Sequence, residues 1–123
     1  MCSAKVYIID EHEAVRSVLA ERLNRAGQLV VVGHTGDANQ ALADVRSAKP
    51  DIVLVEVKRS DGLGLEILRQ LAGYASAPVV AVLTSYHSNW EEQAACRAGA
   101  SLYLLKEIDT EELIRSLTDT TAH

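Results

Sequence analysis

An unbroken apolar run, Ile52-Val53-Leu54-Val55, ends in a single acid, Glu56, followed by Val57 and Lys58. The run shows no polar alternation, so it suits a strand covered on both faces rather than one with a wet side. Covering both faces takes helices, and the rest of the chain supplies them. Apolar runs bounded by turn residues alternate with amphipathic segments, the pattern of repeated βα units around a parallel sheet. Strands are expected near 5–9, 29–34, 51–57, 78–84 and 101–105, with helices over 12–26, 38–48, 64–73, 88–98 and 109–119. The fold class is α/β.

The helix ends carry their own signals. Gly27, Gly73 and Gly99 follow the first, third and fourth helices, where a left-handed residue commonly ends the last turn. Ser88 with Glu91, and Asp109 with Glu112, have the spacing of a capping box. Val15, Val18, Leu19 and Leu23 draw an apolar stripe on the first helix, as Leu113, Ile114 and Leu117 do on the last. The polar stretch from Thr118 to His123 is expected to fray.

At 123 residues the chain is one domain by length, large enough to bury a core. Hydrophobic residues make up 48% and charged residues 24%, the balance of a soluble globular protein. No apolar run approaches the length of a membrane span, and no secretory signal is visible at the N-terminus. Cys2 and Cys96 are too few for a disulfide framework and fit a reducing cytoplasm. The net charge is −5 with the basic residues scattered, which argues against direct nucleic-acid binding.

Ligand sites in open α/β sheets lie outside the carboxyl ends of the strands. Here those ends carry Asp10 and Glu11 after the first strand, Glu56 in the third, Thr84 in the fourth and Lys106 after the fifth. Two acids, a third acid, a hydroxyl and a lysine are thereby expected in one site.

This constellation resembles the receiver domain of two-component response regulators, over nearly the whole chain. Asp10-Glu11-His12 with Val15-Arg16 is similar to the opening acidic pair and first helix of the NarL/FixJ subfamily. Leu29 to Gly33, Pro50 to Val57, Leu83-Thr84-Ser85, and Gly99-Ala100 with Tyr103-Leu104-Leu105-Lys106 follow in that family's order and spacing. The resemblance implies a flavodoxin-like, doubly wound (βα)5 fold with a parallel five-stranded sheet in the order 2-1-3-4-5. It implies a single receiver domain over residues 1–123, without an output domain in this stretch. It further implies a signalling module of phosphorelay and transcription regulation rather than an enzyme. The partners it implies are a histidine kinase, an output domain or a second copy in a homodimer, with no nucleic acid and no membrane.

The sequence departs from the family where the family's chemistry happens. Glu56 stands at the phosphoacceptor aspartate, and Arg59-Ser60-Asp61 replaces the usual Met-Pro-Gly stretch before Gly64-Leu65-Glu66 recovers the pattern. A phosphoacceptor must lie in line with phosphorus while metal and lysine hold the phosphoryl oxygens. One extra methylene moves the carboxylate out of line, at a cost on the order of a hundredfold in rate for ~1 Å. Glu56 is therefore expected to accept phosphate poorly and to hold a fixed charge near the phosphoryl position. That charge either keeps the domain towards its active state or simply pairs with Lys106 in a silent scaffold. An engineered aspartate-to-glutamate change is a further alternative.

By the same resemblance, Mg2+ would be held by Asp10, Glu11, Glu56 and Lys58, with binding weak or absent because of Glu56. From the residues alone, Asp10 and Glu11 could equally serve the dipole of the following helix. Thr84, Tyr103 and Lys106 match the family's switch hydroxyl, rotating aromatic and phosphoryl-binding lysine. Read without the family, Thr84 is a satisfied strand-end hydroxyl, Tyr103 a half-buried edge tyrosine and Lys106 a solvated lysine. His12 lies in an Asp-x-His spacing found in cobalamin-binding domains, but Val15 occupies the place of that signature's glycine. His12 is read instead as a surface residue of the first turn. Trp90 and Tyr103 are the interface candidates, an exposed tryptophan being a plausible anchor and partial burial the alternative. Cys96 is expected to pack as a small hydrophobe.

Other function classes fit less well. A nucleotide or flavin enzyme on this architecture would want a glycine-rich phosphate loop after the first strand, where the chain has Asp10-Glu11-His12-Glu13. A phosphatase built on two spaced aspartates would want an acid at His12.

Overall fold

A computed structural model describes residues 3–121. Its elements alternate as β1 (Ala4–Ile9), α1 (Glu13–Asn24), β2 (Leu29–Thr35), α2 (Ala38–Ala48) and β3 (Ile52–Val55), then α3 (Gly64–Ala72), β4 (Val79–Thr84), α4 (Asn89–Ala98), β5 (Leu102–Leu105) and α5 (Thr110–Thr121). The five strands form one sheet in the order β2-β1-β3-β4-β5, every pair parallel. This is the flavodoxin-like doubly wound fold expected, and Glu56 falls one residue past the end of β3.

Side chains alternate across each strand, which divides the core in two. Val6, Ile8, Ile52, Leu54, Ala81 and Leu83 face α1 and α5, meeting Leu19, Leu23, Leu113 and Leu117. Tyr7, Ile9, Val53, Val55, Val80 and Val82 face α2, α3 and α4, meeting Val45, Ile67, Leu68, Leu71 and Ala95. The continuously apolar central strands thus have a physical reason: neither face of the sheet is wet. Each large side chain fully buried this way contributes roughly 1.5–3 kcal/mol.

The helix ends match expectation in part. Gly27 and Gly99 adopt left-handed φ values of 79° and 117°, but Gly73 remains right-handed at φ −86°. The left-handed residue that ends α2 is Lys49, at φ 47°, which no glycine announced. Ser88 Oγ accepts from the Glu91 amide as a cap should, at 3.2 Å. The Asp109 carboxylate accepts from the Glu111 amide, one residue short of the expected partner.

Several side chains sit otherwise than their sequence pattern implied. Leu19 and Leu23 are buried, but Val18 of the same stripe is 60% exposed, because α1 is pinned against the sheet along the Leu19–Leu23 line only. Cys96 is exposed on the outer face of α4, where Ala95 and Ala98 take the inward positions. Trp90 is 73% exposed. Thr118 to Thr121, expected to fray, continue α5, with the Thr118 hydroxyl donating to the Ile114 carbonyl at 2.9 Å. Cys2 and the last residues of the expected tail lie outside the described residues. Among the described residues, no helix is long and apolar enough to cross a membrane.

Candidate functional site

Asp10, Glu56 and Thr84 are buried polar residues, and all three lie at the carboxyl edge of the sheet. Burying carboxylates is costly unless they are paired and hydrogen-bonded. Lys106 supplies the pairing. Its ammonium donates to Asp10 Oδ2 at 2.7 Å and lies 3.2 Å from Glu56 Oε1. Sequence reasoning paired it with Glu56; the shorter contact is with Asp10. Burial pushes the Asp10 carboxyl up, but Lys106 and the two His12 donors outweigh it and hold Asp10 below its ordinary range. Burial pulls Lys106 down, and its two carboxylate neighbours outweigh that as well, leaving it above the usual lysine value.

His12 is not only a surface residue of the first turn. Its backbone amide and ring Nδ1 lie 2.9 and 3.1 Å from Asp10 Oδ1. On the far side of the loop, Arg16 Nη1 donates to the Asp10 carbonyl at 2.6 Å.

Glu11 leaves the cluster. Its Oε1 accepts from the Ser60 amide at 2.8 Å and its Oε2 from the Ser60 hydroxyl at 2.6 Å. Those two donors, hydroxyl first, hold the Glu11 carboxyl below the ordinary range. Ser60 is positioned by its neighbours. The Arg59 guanidinium makes a two-pronged contact with Asp61 at 3.0 and 2.8 Å and donates to the Gly36 carbonyl at 2.7 Å.

Lys58 links the acids to the fourth helix. Its amide donates to Glu56 Oε2 at 3.0 Å. Its ammonium donates to Thr84 Oγ1 at 2.8 Å, to the Tyr86 carbonyl at 3.0 Å and to Glu91 Oε1 at 2.8 Å. The same Glu91 oxygen accepts from the Tyr103 hydroxyl at 2.6 Å, and that hydroxyl accepts from the Ser88 amide at 3.3 Å. Tyr103 also meets the His87 ring edge-on at 5.8 Å. Burial and then the Glu91 carboxylate push the Tyr103 hydroxyl up to about 12. Glu56, Lys58, Thr84, Glu91 and Tyr103 thus form one continuous polar chain from the sheet edge to β5.

The structure brings Asp10, Glu56, Thr84, Lys58 and Lys106 together and separates Glu11 and Trp90 from them. Two participants play parts that the sequence did not show. Lys58 was expected only in the magnesium set, not as the link to Thr84 and Glu91, and Glu91 was assigned to a capping box. Only the Ser88 half of that box forms, because the Glu91 carboxylate turns to Lys58 and Tyr103. A lysine shortly after the strand-end acid was the available signal, and many solvated lysines share it.

A divalent cation needs carboxylate oxygens that converge with free lone pairs. Here Asp10 and Glu56 converge on the Lys106 ammonium, and both Glu11 oxygens accept from Ser60. Among the described residues, no group of three or more His, Cys, Asp or Glu side chains is spaced to hold a metal ion. In this arrangement the acids of the expected magnesium set are engaged by protein donors, Asp10 and Glu56 by Lys106 and Glu11 by Ser60.

Residues 6–118 match the response regulator receiver domain family, and the chain belongs to it. Receiver domains are regulatory modules of two-component signalling, not catalytic ones. Among curated relatives, the chain is 38% identical over 115 residues to the DNA-binding transcriptional activator DevR/DosR of Mycobacterium tuberculosis, covering 94% of this chain and 53% of that protein. It is 28% identical to the response regulator protein VraR of Staphylococcus aureus, covering 94% of this chain and 56% of that one. The chain thus spans about half the length of these relatives. Among solved structures, a LuxR-family two-component response regulator from Aurantimonas sp. SI85-9A1 superposes with a TM-score of 0.89 at 26% identity, covering 98% of this chain and 86% of that one. The response regulator domain of Thermotoga maritima CheB gives 0.88 at 20% identity, covering 99% and 98%, a likeness of fold alone.

Proposed function

We propose that this receiver is a protein-interaction module whose signalling state is set without phosphorylation, with Glu56 as a fixed negative charge at the phosphoacceptor position. The observation that carries the reading is the setting of the Glu56 carboxylate, 6% exposed, 3.2 Å from the Lys106 ammonium and bonded to the Lys58 amide. Its charge is engaged by the two residues best placed to relay it: Lys106, and Lys58 with its contacts to Thr84 and Glu91. The mimicry of a phosphoryl group is partial, one charge and two oxygens against about −2 and three strong acceptors. The length of Glu56 also leaves magnesium weakly bound or unbound in this reading.

The output surface is α4, β5 and α5, with Trp90 and Tyr103 as its anchors. Its partner is a signalling protein, an output domain or a second copy of this chain, in the cytoplasm. The likeness to DevR/DosR and to a LuxR-family regulator supports a NarL/FixJ-like role in transcription regulation, with DNA contacted by another domain rather than this one.

The reading is tested by measuring partner affinity for Glu56→Ala and Trp90→Ala beside the unmodified chain. Loss of affinity in both is expected, while Trp90→Ala leaves stability within about 0.5 kcal/mol. Unchanged affinity in Glu56→Ala would leave Glu56 a silent partner of Lys106.

A conventional phosphorelay receiver is the second reading, favoured by the survival of Thr84 and Lys106 at the site. A covalent mass increase with a small-molecule phosphodonor, or beryllofluoride shifts spreading from Glu56 to Tyr103, would establish it instead.

A further inference from the structure

We infer that the Arg59-Ser60-Asp61 loop is a clasp that does the cross-linking work of a divalent cation, so that the acidic edge of this receiver assembles without one. The inference rests on the receiver reading of the site and adds how the site is held together. A cation bound among Asp10, Glu11 and Glu56 would join the loop after β1 to the end of β3 and the loop that follows it. Each of those connections is already made by protein donors. Ser60 ties the β3–α3 loop to Glu11 through two hydrogen bonds of 2.8 and 2.6 Å. Arg59 ties the same loop to the β2–α2 loop at Gly36, and Lys106 joins Asp10 to Glu56.

The clasp is built rather than incidental. The Arg59 side chain is only 2% exposed, although it lies in a surface loop. Its Nη1 is buried with no hydrogen-bond partner, which is a cost to the fold. The two-pronged Asp61 contact and the Gly36 carbonyl offset that cost. Asp61 also accepts from the Leu63 amide at 2.9 Å, which fixes the turn into α3. Ser60 is therefore presented to Glu11 on a braced turn, and Glu11 is drawn away from Asp10 before any cation arrives. Both Glu11 oxygens already accept from Ser60, so capture of Glu11 by a metal must first displace those two donors.

Ser60→Pro is the direct test, because proline removes both the hydroxyl and the amide that hold Glu11. MgCl2 alone, with no phosphodonor, is titrated into the whole chain while amide NMR shifts and Trp90 fluorescence are followed. The unmodified protein is expected to show no saturable shifts at Asp10, Glu11 and Glu56. Ser60→Pro is expected to gain them, with an affinity at least about tenfold tighter. Ser60→Ala, which keeps the backbone unchanged, is expected to gain a smaller part and decides the matter if the proline variant does not fold. Saturable binding by the unmodified chain at the affinity of the variants would overturn the inference, as would variants that remain silent. Either failure leaves the fixed-charge reading of Glu56 to its own test by phosphodonor and mass.

Discussion

Lys58 and Glu91 form an ion pair at 2.8 Å that joins the β3–α3 loop to the first turn of α4, with the Tyr103 hydroxyl on the same glutamate oxygen. The Glu91 carboxylate is largely buried and the Lys58 side chain partly so, which sets this pair apart from surface pairs of negligible worth. It makes the state of the sheet edge and the position of Tyr103 parts of one network.

Removing either partner should therefore loosen the other. Lys58→Met and Glu91→Gln are each expected to lower stability by about 1–2 kcal/mol in urea unfolding. Because they share one interaction, the double variant should lose less than the sum, with a coupling of about 1 kcal/mol. Simple additivity would show that the network is not held by this pair.

Tyr103 gives the network an optical readout. Its hydroxyl is raised from 10.0 to about 12, so the neutral form is the one the fold favours. Its contribution to stability is fully present below pH 10 and is lost as pH rises through about 12. Ultraviolet titration should show the Tyr103 ionisation in the intact domain and lose it in Tyr103→Phe. In Glu91→Gln the same step should move towards lower pH, since a neutral acceptor opposes the phenolate less.

Lys106 is the ammonium paired with both buried carboxylates. Lys106→Met should cost about 3 kcal/mol at neutral pH, because Asp10 and Glu56 are left buried beside each other without a cation. The deficit should shrink as the pH falls and Asp10, which Lys106 holds below its ordinary range, takes up its proton. Chemical unfolding across a pH series measures both effects.

Gly64 is required by a close approach rather than by a turn. A Cβ there would fall on the Val57 carbonyl oxygen and within 2.7 Å of that residue's carbonyl carbon and Cα. The obstacle is backbone, which cannot rotate away. Gly64→Ala is expected to destabilise the domain by about 3 kcal/mol or more, measured by thermal unfolding. The nearby Gly62, whose added Cβ would meet open space, should be limited only by its φ of 73°.

Much of this architecture was legible in the chain. The apolar runs of β1, β3 and β4 fixed a sheet covered on both faces, and the position of Asp10, Glu56, Thr84 and Lys106 at strand ends placed them on one edge. The stripe on α1 was less secure. A helix only partly covered by its sheet buries part of an apolar face, so Leu19 and Leu23 went in and Val18 stayed out. Cys96 failed for the same reason, since Ala95 and Ala98 set which side of α4 faces the core.

The sequence by itself determined where the chain turns from strand to helix and which residue types reach the carboxyl edge, because periodicity and turn chemistry act over a few neighbouring residues. Only the tertiary structure decided which charge meets which. Lys58, Arg59, Glu11 and Glu91 carry flexible side chains with several oppositely charged partners in reach. Their choice depends on loops brought together from distant parts of the chain. Ser60 claimed Glu11, Asp10 took the shorter contact with Lys106, and Glu91 left its cap for Lys58 and Tyr103, each because the folded loops put those donors within hydrogen-bond distance.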